Sequence, residues 1–378
     1  MAKRSTKRVK TIELDETPYA ELATPGVERT LDEILGQPSA VAALDAAISS
    51  GRVHHAWIFH GPEGVGKFTT ALAFAAVLLD PEAGPDLTGR VRADPGSVVQ
   101  ALLRAGEHPD LHVVRKELSV FSEEDSVRRG KQLTIAKDVV MTRLIAPAYI
   151  ASTMVGGLAS KVFIVDEAEL LDRSPADAPS QNALLKTLEE PPDGTVLILV
   201  TSAEHRLLPT IRSRSQRVAF GPLPDETMAR WARDAGLEAG PELLRYAAGS
   251  PGRLKEAVET GMDGWFAALE PGLERADRGV FDPMLALTMR DLVEGWAKAW
   301  VARDDKRSKE SANRMALTRL LAIVGDHARR RLRDPEVAPR ALNMIDAIGR
   351  AERRAAANVQ IGLVLEGLVA ELPEPAAC

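Results

Sequence analysis

A glycine-rich segment carries the clearest chemistry of this sequence. Its residues are, in order, Gly61, Pro62, Glu63, Gly64, Val65, Gly66 and Lys67. They match the first seven positions of the phosphate-binding pattern G-x-x-x-x-G-K-[S/T]. Glycines let backbone N–H groups turn inward around phosphate oxygens at a helix N-terminus. The segment therefore predicts a nucleotide cradle, in which Lys67 neutralises the β- and γ-phosphates.

The eighth position of the pattern does not fit magnesium binding. A Ser or Thr hydroxyl there ligates the Mg²⁺ that bridges the phosphates, but the residue is Phe68. Thr69 follows, and because one helical step turns a side chain by about 100°, we expect it on a different face and a poor substitute. This puts Mg²⁺ in doubt and predicts reduced or absent hydrolysis. Binding of ATP and an empty loop kept for packing both stay open.

Two adjacent carboxylates, Asp166 and Glu167, follow the apolar run Lys161–Val165. In a P-loop ATPase the first would hold Mg²⁺ through water, and the second would polarise the attacking water. Alternatively, Asp166 caps the next helix and Glu167 lies in its first turn. Because a phosphate loop lies upstream, we favour the first interpretation, with Glu167 as a vestigial base.

Short apolar runs alternate with helical patterns between Leu31 and Phe220. The predicted strands are Ala56–Phe59, Leu111–Val114, Val162–Val165, Val196–Val200 and Val218–Phe220. Val41–Ile48 and Thr70–Leu79 are predicted helices. Strands buried on both faces, with helices between them, indicate a parallel sheet. We predict an α/β fold of three layers, in which the phosphate loop joins a strand to a helix.

The remaining segments predict connections and helices. Asp80–Asp110 is rich in Gly and Pro and predicts an irregular connection, while the charged Leu118–Gln132 predicts a solvated loop. Gly221–Pro224 predicts a domain boundary, with Asp225 as the cap of the next helix. Only helical patterns follow. Two apolar stripes predict core or oligomer-interface faces: Leu317, Leu320, Leu321 and Val324, then Ile361, Val364, Leu365, Leu368 and Leu372.

Composition excludes several classes of protein. The 378 residues carry a net charge of −6, which argues against a chain that wraps nucleic acid by itself. The single cysteine, Cys378, predicts neither disulfides nor a zinc site and fits a reducing cytoplasm. No apolar run approaches the ~20 residues that span a bilayer. Residues 1–25 predict a disordered arm, either a solubilising tail or a segment that touches DNA or a partner.

Four segments together resemble a known family. They are Gly61–Lys67, Asp166–Glu169, Asn182–Pro192 and Leu207–Arg214. They resemble the delta-prime subunits of the bacterial DNA polymerase III clamp loader, whose near relative is gamma/tau. The resemblance implies an AAA+ P-loop α/β domain over residues 26–220, a small helical lid over 221–262 and an all-helical collar for oligomerisation over 263–378.

The resemblance also implies roles for two further residues. Thr201 takes the position of the first sensor, which contacts the γ-phosphate. Arg214, in Ser213-Arg214-Ser215, matches the arginine finger that reaches the ATP of a neighbouring subunit and acts in trans. Ser215 replaces the usual cysteine. The alternative for Arg214 is a solvated surface arginine.

Two departures from the family bear on activity. Relatives often carry a four-cysteine zinc module between the first two strands, and this chain has no cysteine there. Active members read Gly-Ser-x-Arg at the second sensor, whereas Gly249-Ser250-Pro251-Gly252-Arg253 puts the arginine one residue late. The displaced Arg253 agrees with Phe68 at the end of the phosphate loop, and together these two residues predict a weakly active or inactive site.

The resemblance implies a clamp-loader subunit of the DNA polymerase III holoenzyme, a DNA-directed polymerase, in which this chain is not expected to be an ATPase by itself. Its expected partners are gamma/tau, delta, the sliding clamp indirectly and primer–template DNA. One alternative is a catalytically active gamma/tau-type ATPase. Another is an unrelated P-loop protein such as a helicase loader or Holliday-junction motor, against which residues 263–378 offer no winged-helix or basic recognition pattern.

Overall fold

The computed structural model describes residues 24–128, 134–154, 156–172, 177–303 and 308–374. The predicted N-terminal arm lies outside the described residues except for residues 24 and 25. Cys378 and residues 129–133, which include the end of the predicted loop Leu118–Gln132, also lie outside them.

A parallel sheet forms the centre of the first half of the chain. Its five strands are β1 (Ala56–His60), β2 (Leu111–Val114), β3 (Lys161–Val165), β4 (Thr195–Thr201) and β5 (Gln216–Ala219). They lie in the order β2-β3-β4-β1-β5. The register sets Phe59 opposite Val200 on one side and Val218 on the other. The carboxyl ends of β1, β3 and β4 therefore meet at one edge, where α/β proteins bind ligands.

Helices cover both faces of this sheet. On one face lie α1 (Pro38–Ser49), α2 (Lys67–Leu79) and α3 (Val98–Ala105), packed on Trp57 and Phe59 of β1. On the other face, α4 (Pro179–Glu189) and α5 (Pro209–Ser213) pack on Ile58 and Phe163. Neighbouring residues of β1 point to opposite faces, and all of them except His60 are buried. The predicted three-layer α/β fold is confirmed.

Shorter elements connect these parts. A hairpin pairs Gly84–Pro85 with Val91–Arg92. Short helical segments are Leu31–Glu33, Lys116–Phe121, Asp125–Arg128, Lys137–Val140, a π-helical turn at Met141–Ile145, Ala146–Ala148, Ala168–Leu170 and Glu204–Arg206.

The described residues after Pro224 form helices. These are α6 (Asp225–Asp234), α7 (Pro241–Ala247), α8 (Pro251–Glu259), α9 (Asp263–Asp277), α10 (Pro283–Val301), α11 (Lys309–Arg331), α12 (Ala338–Ala356) and α13 (Ile361–Glu371). Both predicted stripes are buried in their core, with Ile361 only partly buried. One hydrophobic cluster runs from Leu223 through Met262 to Leu372. The boundary at residue 262 therefore stays a prediction.

Three local predictions need correction. Asp80–Asp110 is not irregular throughout, because the Ser97 side chain caps α3 and Gly106 ends it in a left-handed conformation. The segment at Leu118 is not a solvated loop, since Leu118 is buried in a 3₁₀ turn. Asp225 is the first residue of α6 rather than its cap, which is Pro224. Within the described ranges, no helix has the length and apolarity needed to cross a membrane.

Candidate nucleotide site

A cavity of about 790 Å³ opens at the carboxyl edge of the sheet. The predicted site residues that line it are Glu63, Gly64, Val65, Gly66, Lys67, Phe68, Thr69, Asp166, Glu167 and Thr201. The segment before α1, through Glu33 and Leu35, and the helical half, through Trp231 and Lys255, close its sides. The structure thus brings together residues that are distant in sequence. Among the predicted residues, Gly61, Pro62 and Arg214 are not in its wall.

The loop between β1 and α2 has a backbone that requires glycine. Gly61, Gly64 and Gly66 have φ angles of 140°, 73° and 100°, a region that costs other residues free energy. A Cβ on Gly61 would lie 2.2 Å from the carbonyl oxygen of Phe220. Gly66 is also the N-cap of α2, so the loop ends at the helix terminus that attracts anions.

Lys67 lies beneath this loop with 6% of its surface exposed. Its Nζ donates to the carbonyl oxygens of Gly61, at 2.8 Å, and of Pro62, at 2.5 Å. Burial lowers the pKa of Lys67, and the carboxylates of Glu169 and Asp166 oppose that shift. Gly61 and Pro62 thus belong to the cradle through their carbonyl groups, although they do not line the cavity.

The position after Lys67 is apolar in space as well as in sequence. Phe68 is half-buried and packs against the hydrophobic core on the α2 side of the sheet. Thr69 lines the same cavity, in contrast to the expectation that it faces elsewhere. Phe68 supplies no oxygen to a cation, so the residues that would hold a nucleotide here are the loop backbone and Lys67, with Asp166 left to hold Mg²⁺ through water.

The acidic pair lies at the end of β3. Burial and the neighbouring Glu167 raise the pKa of Asp166 to about 6. Glu167 has a φ of 49° and takes the N-cap position of the turn Ala168–Leu170, without a capping side-chain hydrogen bond. The alternative that Asp166 caps the next helix is therefore wrong. The Glu167 Oε2 lies 2.6 Å from Nζ of Lys116, which follows β2 and was not predicted as a site residue.

Thr201 and Glu169 lie in the cavity wall, at the end of β4 and after the end of β3, and Glu169 connects the two ends. Thr201 is 1% exposed, and its hydroxyl accepts from the backbone N–H of Ala203 at 3.0 Å. Glu169 is 9% exposed and accepts from the backbone N–H of Ser202 at 3.2 Å and from the Ser202 hydroxyl. Glu169 was not predicted as a site residue, although it lies three residues after Asp166 in an acidic segment.

The helical half contacts the loop directly. The hydroxyl of Ser250 donates to the carbonyl oxygen of Glu63 at 2.8 Å, and the N–H of Gly252 donates to that of Gly64 at 2.9 Å. Arg253 turns away, with its guanidinium 4.8 Å from the centre of the Tyr246 ring. The arginine that is displaced in sequence is thus engaged elsewhere in space.

Arg214 ends α5 on the surface. It lies 2.9 Å from Oε1 of Glu189 and donates to the carbonyl oxygen of Thr210 at 3.2 Å, and 38% of its side chain is exposed. Because it is absent from the wall of the cavity, Arg214 does not serve the site of its own chain in this structure.

In the part of the chain that the structure describes, no group of three or more His, Cys, Asp or Glu side chains is arranged to hold a metal ion.

The sheet order, the phosphate loop after β1 and the acidic pair after β3 define an AAA+ P-loop module followed by helices. Residues 36–224 match the family model described as DNA polymerase III, delta subunit, which is half of the chain. The chain belongs to this family, as the resemblance to delta-prime subunits predicted.

Three relatives illustrate the extent of the similarity. The delta' subunit of Pseudomonas aeruginosa PAO1 is 36% identical over 203 residues, covering 52% of this chain and 53% of the relative. The delta' subunit of Escherichia coli K12 is 29% identical over 354 residues, covering 85% of this chain and 95% of the relative. The gamma/tau subunit of Mycobacterium tuberculosis H37Rv is 30% identical over 229 residues, covering 58% of this chain and only 35% of the relative.

Proposed function

We propose that the chain is a clamp-loader subunit of a DNA polymerase III holoenzyme, with gamma/tau and delta as partners, and that it helps to load a sliding clamp onto primed DNA. Its site holds a nucleotide with little or no hydrolysis, and Arg214 serves the ATP of a neighbouring subunit. The proposed units are an AAA+ module over residues 26–220, a lid over 221–262 and an oligomerising collar over 263–378.

The position of Arg214 carries the proposal. An arginine finger must be exposed and must lie outside its own nucleotide site, because it acts on the phosphates of another subunit. Arg214 meets both requirements, and its neighbour Glu189 fixes its direction on the surface. Breaking one exposed ion pair costs little free energy, so the arginine can leave Glu189 for a phosphate.

Weak hydrolysis follows from two features of the cavity. Phe68 provides no ligand for Mg²⁺, and the candidate base Glu167 is held by Lys116. A general base must be free to accept a proton or to orient water at the reacting atom. Here the carboxylate already has a cationic partner.

The test is Arg214→Ala in a loader reconstituted with gamma/tau and delta, measuring ATP hydrolysis with primed DNA. Removal of an arginine finger is expected to lower the rate by about 10³-fold or more at the site that it serves. Arg217→Ala is the matched control, since Arg217 is also exposed and paired with a carboxylate, Glu204. Equal rates in the Arg214 and Arg217 variants would refute the role in trans.

A second candidate is a working gamma/tau-type ATPase. The meeting of Lys67, Asp166, Glu167 and Thr201 in one cavity favours it. ATP hydrolysis by the purified chain alone separates the two functions, because the first predicts negligible turnover and the second predicts robust turnover with Mg²⁺.

A further inference from the structure

Glu169 is a buried acidic side chain that the proposed roles leave unexplained. Its Oε1 accepts the backbone N–H and the hydroxyl of Ser202, so the carboxylate is fixed at the end of β4. Its Oε2 is buried and has no hydrogen-bond partner among the described residues. Such an oxygen is costly unless a donor or a cation comes close to it.

Glu169 is part of the wall of the candidate nucleotide cavity. It lines the cavity with Lys67 and Asp166, and its negative charge raises the pKa of Lys67 against the larger, lowering effect of burial. Lys116, beside the acidic pair, is engaged by Glu167, and the other cations in the wall of the cavity are Arg29 and Lys255. The charges of three carboxylates, Glu169, Asp166 and Glu63, therefore act on Lys67 before any ligand enters.

The added negative charge of a third phosphate would make binding at this cavity unfavourable. In a typical P-loop site Mg²⁺ adds two positive charges beside the β- and γ-phosphates, but Phe68 cannot ligate it. The γ-phosphate would then approach the fixed charge of Glu169 without the two positive charges that Mg²⁺ supplies, and like charges repel strongly in a site with little water. The α- and β-phosphates would lie on the loop backbone and Lys67, where the interactions are favourable.

We infer that the cradle is a site for a nucleoside diphosphate, and that Glu169 is the residue that disfavours a triphosphate. The inference rests on the proposal that a nucleotide binds at this cradle. It adds that binding of the diphosphate does not require Mg²⁺. It also adds that the negative charge of one buried side chain, Glu169, distinguishes a diphosphate from a triphosphate.

The experiment titrates the full chain with fluorescent N-methylanthraniloyl-ADP and -ATP, each in Mg²⁺ and in EDTA. Wild type is expected to bind the diphosphate about tenfold more tightly than the triphosphate in both buffers. Glu169→Gln, which keeps the shape and removes the charge, should raise triphosphate affinity about tenfold and leave diphosphate affinity within about twofold.

Glu28→Gln is the matched control, because Glu28 is an exposed carboxylate on the same cavity. It should change both affinities alike. Equal affinities in wild type, a parallel change of both nucleotides in Glu169→Gln, or binding of neither nucleotide would each overturn the inference.

Two measurements keep the outcome interpretable. If thermal unfolding shows that Glu169→Gln does not fold, the wild-type preference for the diphosphate, measured both in Mg²⁺ and in EDTA, still tests the inference. Hydrolysis by the reconstituted loader is measured in parallel. Equal affinities of the wild-type chain for the two nucleotides, together with normal Arg214-dependent hydrolysis, would sink this inference and leave the role of Arg214 standing.

Discussion

At the scale of single residues, the burial of Asp166 has a consequence for stability. Its pKa of about 6 in the folded chain lies above the ordinary value of 3.8. The folded state therefore binds a proton more tightly than the unfolded state, and stability falls as pH rises from 3.8 through 6. Above pH 6, the folded state bears the full free-energy cost of holding the Asp166 carboxylate in its charged form.

We expect Asp166→Asn to stabilise the protein by ~1–3 kcal/mol at pH 8, because the amide keeps the shape and the acceptor for the Glu167 N–H without the charge. The gain should vanish towards pH 4, where the wild-type carboxyl is protonated. Urea unfolding midpoints at several pH values measure it. Asp193→Asn, at an exposed turn, is the control, and a gain for Asp166→Asn that is constant with pH would contradict the explanation.

The sequence predicts those parts of the site that are built from consecutive residues, and it does not predict those that depend on contacts between distant residues. The cradle Gly61–Lys67 and the defect at Phe68 are visible because the loop forms from consecutive residues. The roles of Lys116 and Glu169 cannot be predicted from the sequence, since they depend on contacts with Glu167 and Ser202 that only the folded sheet creates. Polar residues that act across strands carry no local pattern.

At the scale of elements, the contact between α8 and the phosphate loop links the two halves of the chain. Ser250 is 2% exposed and has two roles: its hydroxyl accepts from the Arg253 N–H at 3.2 Å as the helix cap, and it donates to Glu63. A Cβ on Gly252 would lie 2.8 Å from Cα of Gly64, so only glycine permits the approach.

We expect Ser250→Ala to destabilise the protein by ~1–3 kcal/mol, since it removes the cap and leaves a carbonyl oxygen without its donor. Ser308→Ala is the control. Ser308 caps α11 through one bond to the Ser311 N–H and does not line the cavity, so it should cost only ~0.5–1 kcal/mol. Urea unfolding compares the two variants, and equal costs would show that the bond to Glu63 contributes nothing.

Elements were predicted well where burial dictates their pattern. The strands are continuous apolar runs because both faces are covered, and α11 and α13 show their stripes because one face is buried. Helix α3 was missed because it has only eight residues between segments rich in Gly and Pro. Its cap, Ser97, is held by Asp80, a contact that no local pattern reveals.

At the scale of the whole molecule, the question is whether the helices after Pro224 behave as one unit or as a lid and a collar. Arg319 of α11 joins the two proposed units. It is 9% exposed, donates to Oε2 of Glu256 in α8 at 2.5 Å, and lies 4.9 Å from the Trp296 ring. Removing one partner of a buried pair leaves the other charge uncompensated.

We expect Arg319→Ala to destabilise the helical half by ~2–4 kcal/mol. Arg314→Ala, which breaks an exposed ion pair with Glu310 and an exposed hydrogen bond to Asn358, should cost under ~1 kcal/mol. Hydrogen exchange measures which helices lose opening free energy in the Arg319 variant. Because one hydrophobic cluster includes both Leu254 and Leu320, the opening free energies of α6–α8 and α10–α13 should fall together. If only α8 and its neighbours lose opening free energy, the lid unfolds independently of the collar. The proposed boundary at residue 262 would then separate two cooperative units instead of lying within one core.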